Sequence, residues 1–222
     1  MLYRETSKKT GSIDADNSMS LAALPTEPGL LLSTIKNASA RKSRRELELK
    51  LESAERLIGQ AKTLNEALEG LANLLATNLP VAFCRISLVD SHNQSLIPQA
   101  AHTSLTDFRW NPQLGESLPL ALLPDGLRLS HLYYSLVSQR REPLAREQFH
   151  IYSLELGLRE PLAKLLLVPL KTGNRLLAVI ELGELVDDPL EGMNEDETQA
   201  IILQAPRFAV PLAERMIQVQ IC

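Results

Sequence analysis

Two cysteines, four histidines and a single tryptophan hold most of the chemical potential of this chain. Cys84 lies in "VAFCRISLVD", a run of strand-favouring residues, and Cys222 is the last residue. One thiol in a strand and one at the terminus give neither a disulfide framework nor a metal-ligand spacing. Cys84 therefore reads as a small buried hydrophobe, and the sparse cysteine usage fits a reducing, cytoplasmic compartment. His92 sits in a turn cluster, His102 at a strand end, and His131 and His150 in or beside helical segments. No His-x-x-x-His or His-Glu spacing joins them, so they read as surface or packing residues and no metal is expected. A Gly-x-Ser-x-Gly nucleophile elbow is absent, as is a glycine-rich phosphate loop before a helix. Catalysis is not expected. What remains is recognition. Trp110, Tyr133, Tyr134 and Arg159, with Arg85 as an outlying member, are the residue types from which a small-molecule pocket is built, aromatic walls with one or two placed charges. The competing reading is a satellite core under a loop layer. Arg159, Glu160 and Glu181 read as rim charges.

The bounds on these side chains are simple. A chain of 222 residues, 45% hydrophobic, can bury one sizeable core. A net charge of -4 and a pI near 5.7 argue against a broad nucleic-acid face. The short basic cluster "ARKSRR", Ala40 to Arg45, reads as the solvated end of a helix. No apolar run approaches the ~20 residues needed to span a bilayer, and the first residues lack the apolar core of a signal peptide. Neither nucleic acid nor a membrane is expected as a partner.

The elements that must position the candidate residues follow from the pattern. Residues 1–40 are polar, with Pro25, Pro28 and Gly29 interrupting one apolar patch, and read as a disordered tail. From Arg44 to Leu79 there is no proline, and Leu47, Leu51, Ala54, Ile58, Ala61, Asn65, Leu68, Ala72, Leu75 and Leu79 alternate four and three apart. That heptad seam predicts one long helix, roughly 50 Å. Residues 41–62 read as a coiled-coil extension that projects and pairs with a second copy through Leu47, Leu51, Ala54 and Ile58, with Asn65 at an a position setting register. The alternative is that the second half of the seam is simply the face that packs on the sheet.

After Pro80 the pattern becomes strands. "VAFCRISLVD" and "SLIPQAAHT" form a hairpin about a "DSHNQ" turn, with Pro98 marking a bulge or an edge. The segment from Phe108 to Gly126 is irregular, and Leu129, Leu132, Leu136 and Val137 predict a helix over 127–141. A short strand at "EPLAREQF" and a short helix at "HIYSLELG", closed by Gly157, come next. Then "KLLLVPLKTGNRLLAVIELGE" places two apolar runs about a polar turn, where Gly173 and Asn174 can take positive φ angles. Neither run alternates, so both of its faces must be covered. An acidic loop leads to a closing helix from Asn194, with Asn194 and Glu197 as its capping pair. Pro206 and Pro211 should kink or restart that helix.

The order of these elements resembles a GAF domain, most specifically at the last hairpin, where "LLLVPL", "KTGNR" and "LLAVIELGE" match the family's strand, Val-Pro-Leu, turn and strand. The resemblance covers about 53–217. It implies an α+β, PAS-like antiparallel sheet with the terminal helices on one face and loops and short helices on the other. The loop layer is where the family binds cyclic nucleotides, tetrapyrroles, haem or small effectors. The cyclic-nucleotide motif has no match here, and the loop layer, about 105–160, has no cysteine for covalent bilin attachment, so both ligands are disfavoured and the cofactor is left open. The sulfoxide reductases of the family need several cysteines. The implied function is a non-enzymatic, bacterial-type sensory module that binds a small ligand, dimerises, or both, to regulate an output partner. The alternative is a ligand-free interaction module. The chain is either a free-standing adaptor or a piece of a longer signalling protein.

Overall fold

The computed structural model describes residues 45–90, 92, 94–106, 108–119, 135–138, 154, 156–159, 161–186, 190 and 192–221. The chain divides into units Met1–Ser39 and Ala40–Cys222, and all described residues belong to the second. The tail predicted at 1–40, the strand and most of the short helix predicted across 142–157, and Tyr133, Tyr134, His131 and His150 lie outside the described residues.

The apolar runs become the six strands of one antiparallel sheet: β1 (Phe83–Asp90), β2 (Ser95–His102), β3 (Leu118–Pro119), β4 (Ser135–Ser138), β5 (Leu162–Thr172) and β6 (Arg175–Leu185). Their order is β3-β2-β1-β6-β5-β4, so the first and last hairpins meet at the centre through β1 and β6. The β5–β6 turn forms at Gly173 and Asn174, between paired Thr172 and Arg175. The predicted bulge is present: Ile86 pairs with Ala100 but Ser87 pairs with Pro98, leaving Gln99 over.

Side chains alternate across this sheet and divide the core in two. Cys84 and Ile86 of β1, Leu166, Val168 and Leu170 of β5, and Ala178, Ile180 and Leu182 of β6 join the helices in one cluster. Phe83, Leu165, Leu167, Val179 and Leu185 join a second, with Leu118 of β3 and with Leu156, Leu158 and part-buried Phe108 and Trp110 from the loops. The terminal helices cover one face and the loop layer covers the other, as the lack of alternation required.

The helical layer corrects three expectations. The helix predicted over 44–79 is broken: α1 covers 45–60 and α2 spans Leu64–Asn78. Thr63 caps α2 by accepting a hydrogen bond from the Glu66 backbone N–H at 3.1 Å, while the Glu66 carboxylate accepts one from the Lys62 N–H at 2.8 Å. Thr63-x-x-Glu66 is a helix-start signature that the heptad period overrode. The chain turns there, bringing Leu57 of α1 against Gly70 of α2. The α1 extension therefore does not project. The Arg215 guanidinium donates to the Gly59 carbonyl and Arg207 pairs with Glu52 at 3.7 Å, which lays α1 along α3 (Glu195–Ile221) in the same direction. Leu47, Leu51, Ala54 and Ile58 are at most 7% exposed, in the same core as Leu68, Phe208 and Leu212. The seam is filled by this chain's own core. Asn65 is exposed on α2 and donates to Glu69 at 3.0 Å, so it occupies no seam.

Two further expectations change. Leu136 and Val137 lie in strand β4, paired with β5, where 127–141 was expected to be helical. β5 is hydrogen-bonded to β6 on one side only, and its open row of backbone groups is satisfied by a strand, which outweighs four apolar residues at helical spacing. Pro206 and Pro211 do not interrupt α3, which runs continuously over 27 residues, roughly 40 Å. Both prolines are off the buried face, so the carbonyls that lose a donor are on the side that water can reach. Its start is as expected: the Glu197 N–H donates to Asn194 Oδ1, and the Asn194 N–H to the Glu197 carboxylate, both at 2.9 Å.

Candidate functional site

β1 and β6 pair so that Arg85 stands directly across from Glu181. Both residues occupy the odd positions that face the loop layer, beside Phe83 and Val179. The Arg85 Nε donates to Glu181 Oε2 at 2.6 Å and Nη2 to Oε1 at 2.9 Å, a two-pronged contact. The Ser87 hydroxyl, two residues along β1, donates to Oε2 at 2.8 Å. Arg85, Ser87 and Glu181 are all fully buried. Their next neighbours across the sheet are Ala101 of β2 and Leu167 of β5, so the charges stand in an apolar frame. A buried ion pair is held only when geometry and extra hydrogen bonds offset the cost of removing two charges from water, and the fork contact with the Ser87 hydroxyl supplies both.

This arrangement corrects the reading of Glu181 as a rim charge. It is the anionic centre of a buried network. The missed signal was the parity of the strand: Glu181 shares a face with Val179 and Gly183, and Arg85 shares one with Phe83 and Ser87. A charge on each of two apolar strands is satisfied most cheaply by the other charge. Arg85, the outlying pocket candidate, is the one the structure places at the sheet centre.

The other candidates fall differently. The Trp110 indole N–H donates to the Leu156 carbonyl at 2.7 Å, and its ring lies 4.8 Å from that of Phe83 and 6.0 Å from that of Phe108. Trp110 thus pins the loop layer to the sheet. Two glycines allow the fit. Gly183 lies under the Phe83 ring, where a Cβ would collide with it, and Gly157, at φ +73°, lies against the Asn111 carbonyl with no room for a side chain. Gly157 also closes its turn by donating to the Leu154 carbonyl at 2.9 Å, as expected. Arg159 is exposed and fits the rim reading.

Cys84 points to the opposite, helical face and is fully buried. Burial pushes its thiol pKa far above the ordinary value, and the nearby Glu181 carboxylate pushes it the same way. The nucleophilic thiolate is therefore suppressed. Among the described residues no cluster of His, Cys, Asp and Glu is arranged to hold a metal, and no helix is long and apolar enough to cross a membrane. Two open grooves lie on the helical side. One of about 590 Å³ runs between α1 and α2 at Arg56, Leu57, Gln60 and Glu66. The other, of about 450 Å³, lies beside β2 at Asn73, Ala100 and His102. Neither contains a residue singled out as a ligand contact from the sequence.

Solved structures share this arrangement. The GAF domain of a phosphoenolpyruvate-protein phosphotransferase from Coxiella burnetii superposes with a TM-score of 0.61 at 18% identity, over 80% of this chain and 98% of its own. The phycocyanobilin-bound GAF domain of a cyanobacterial phytochrome gives a TM-score of 0.59 at 16% identity, over 78% and 96%. The chain has the GAF fold. Free methionine-R-sulfoxide reductase from Neisseria meningitidis, in complex with its substrate, shares it too, with a TM-score of 0.55 at 13% identity over 79% and 91%. No protein-family model matches the chain, and no curated protein matches it. Identities this low establish the fold alone. Within the GAF fold, the buried Arg85–Glu181–Ser87 network lies on the sheet face turned toward the loop layer, and the helices pack on the other.

Proposed function

We propose that this chain is a non-enzymatic, bacterial-type sensory and signal-transduction module of the cytoplasm, taking a small ligand between its sheet and its loop layer. The observation that carries this reading is the Arg85–Glu181–Ser87 network, a buried charged group on the loop face of the two central strands. The other face of these same strands carries Cys84, Ile86, Ile180 and Leu182 against the helices. A ligand whose polar group competes for the network changes the spacing of β1 and β6 and hence the seating of α2 and α3. Binding energy that differs between two helix packings is the physical requirement for a switch. The suppressed Cys84 thiol argues against sulfoxide-reductase chemistry at this position.

A second reading, a ligand-free interaction module, has its own support: the Trp110 N–H is already used on Leu156, and the Phe83 ring fills the space beneath it. Native mass spectrometry of the purified chain, with Trp110 fluorescence titrated against a metabolite library, decides between them. The sensory reading expects a retained mass or a saturable fluorescence change. Neither appearing overturns it in favour of the interaction module. Self-association fits both readings, but the α1 seam first expected to carry it is inside the core.

A further inference from the structure

Seven large apolar side chains stand exposed among the described residues, and three of them lie on α3 at intervals of seven: Leu203, Val210 and Ile217, at 60%, 56% and 53% exposure. Exposed Pro206 and part-exposed Ala213 fall between them. Apolar residues thus recur three and four apart along one side of α3, the spacing of a helix-pairing seam. The opposite side, through Ile201, Ala205, Phe208 and Leu212, is buried in the domain. α3 has two apolar faces, and the outer one is exposed.

We infer that the occupant of this face is α3 of a second copy, running antiparallel. Charge decides the orientation. Arg207 and Glu214 are both exposed and border the seam at the same heptad position, one heptad apart. In an antiparallel pair that position faces itself, so Arg207 meets Glu214 of the second copy, and the two-fold axis repeats the contact on the other side of Val210. In a parallel pair it faces the position held by Ile202, Ala209 and Met216, which offers no charge. The antiparallel register also sets large residues against small ones, Val210 beside Ala213 and Ile217 beside Pro206 of the second copy. Arg207 is already within 3.7 Å of Glu52 of its own chain, both about half exposed, so it can serve both carboxylates. One helix pair falls short of the ~1,200 Å² of a standard stable interface, so this dimer is concentration-dependent.

Sedimentation velocity on the full chain, up to about 1 mM where even weak association registers, tests the inference. The wild type should dimerise, and Val210→Glu should weaken the dimer about tenfold or more by placing a charge at the centre of the seam. Arg207→Glu and Glu214→Arg should each weaken it, and the two together should restore it, because only antiparallel pairing brings these positions opposite. All three sites are exposed, and circular dichroism checks that each variant folds. Val210→Gln replaces any Val210 variant that fails that check. A chain monomeric throughout, a dimer indifferent to Val210→Glu, or a charge swap that does not recover the dimer overturns the inference.

Discussion

The two faces of the sheet are built from the same strands and solve different problems. The centre of the helical face is apolar, with Ile86, Leu166, Val168, Ile180 and Leu182 packed against the helices, and the Lys164–Glu184 ion pair at 2.9 Å stands at its end, part-buried. Its side chains contribute by area removed from water, and any one can be exchanged for another of similar volume. The loop face contains Phe83, Leu165, Leu167 and Val179 but also two charges and a hydroxyl with no exposure. Apolar residues at Arg85 and Glu181 would fold as well, because a buried ion pair is rarely more stabilising than the hydrophobic pair that could replace it. The difference teaches that the helical face is arranged for stability. The loop face keeps a costly network where a stability-only design would not.

The contrast can be broken first at Glu181. Glu181→Leu removes the fork contact from the buried Arg85 charge, and urea unfolding should register a loss of about 3–5 kcal/mol. Phe83 and Gly183 sharpen the same face at lower cost. Gly183→Ala pushes a methyl group into the Phe83 ring, for a loss of about 1–3 kcal/mol, and Phe83→Leu in the same chain should recover part of it. Where α3 starts, the effect is local: Asn194→Ala removes the acceptor for the Glu197 N–H and should cost about 1 kcal/mol by thermal melting.

An effect of about the same size belongs to the helical face and is read by pH. The folded chain holds the Cys84 proton at pH values where the unfolded chain releases it, since burial raises the thiol pKa from its ordinary 9.0. The stability from this group is complete below the unfolded pKa and declines as pH rises above it, by at most about 1.4 kcal/mol per pH unit. Cys84→Ala should flatten that part of the stability profile measured from pH 8 to 10.

Local chemistry was legible in the sequence, and choices between equal periodicities were not. The β5–β6 hairpin announced itself through Gly173 and Asn174, the α3 start through Asn194 and Glu197, and the Pro98 bulge through a proline in a strand. Each is a short-range device whose geometry depends on a few neighbours. The α1 seam was misassigned because a core helix and a paired helix bury apolar residues at the same three-four spacing. The exposed seam on α3 was not legible because Pro206 and Pro211 suggested a break. Glu181 was missed because its partner is 96 residues away. Tyr133 and Tyr134 were named from composition and lie outside the described residues.

A double-mutant cycle on Arg85 and Glu181, followed by urea unfolding, tests most directly whether the loop-face network is kept for something other than stability. Arg85→Met and Glu181→Leu should each be strongly destabilising alone, and together should return the chain to within about 1 kcal/mol of the wild type. A double variant as unstable as the sum of the two singles would contradict the account, because the pair would then be a foundation of the fold.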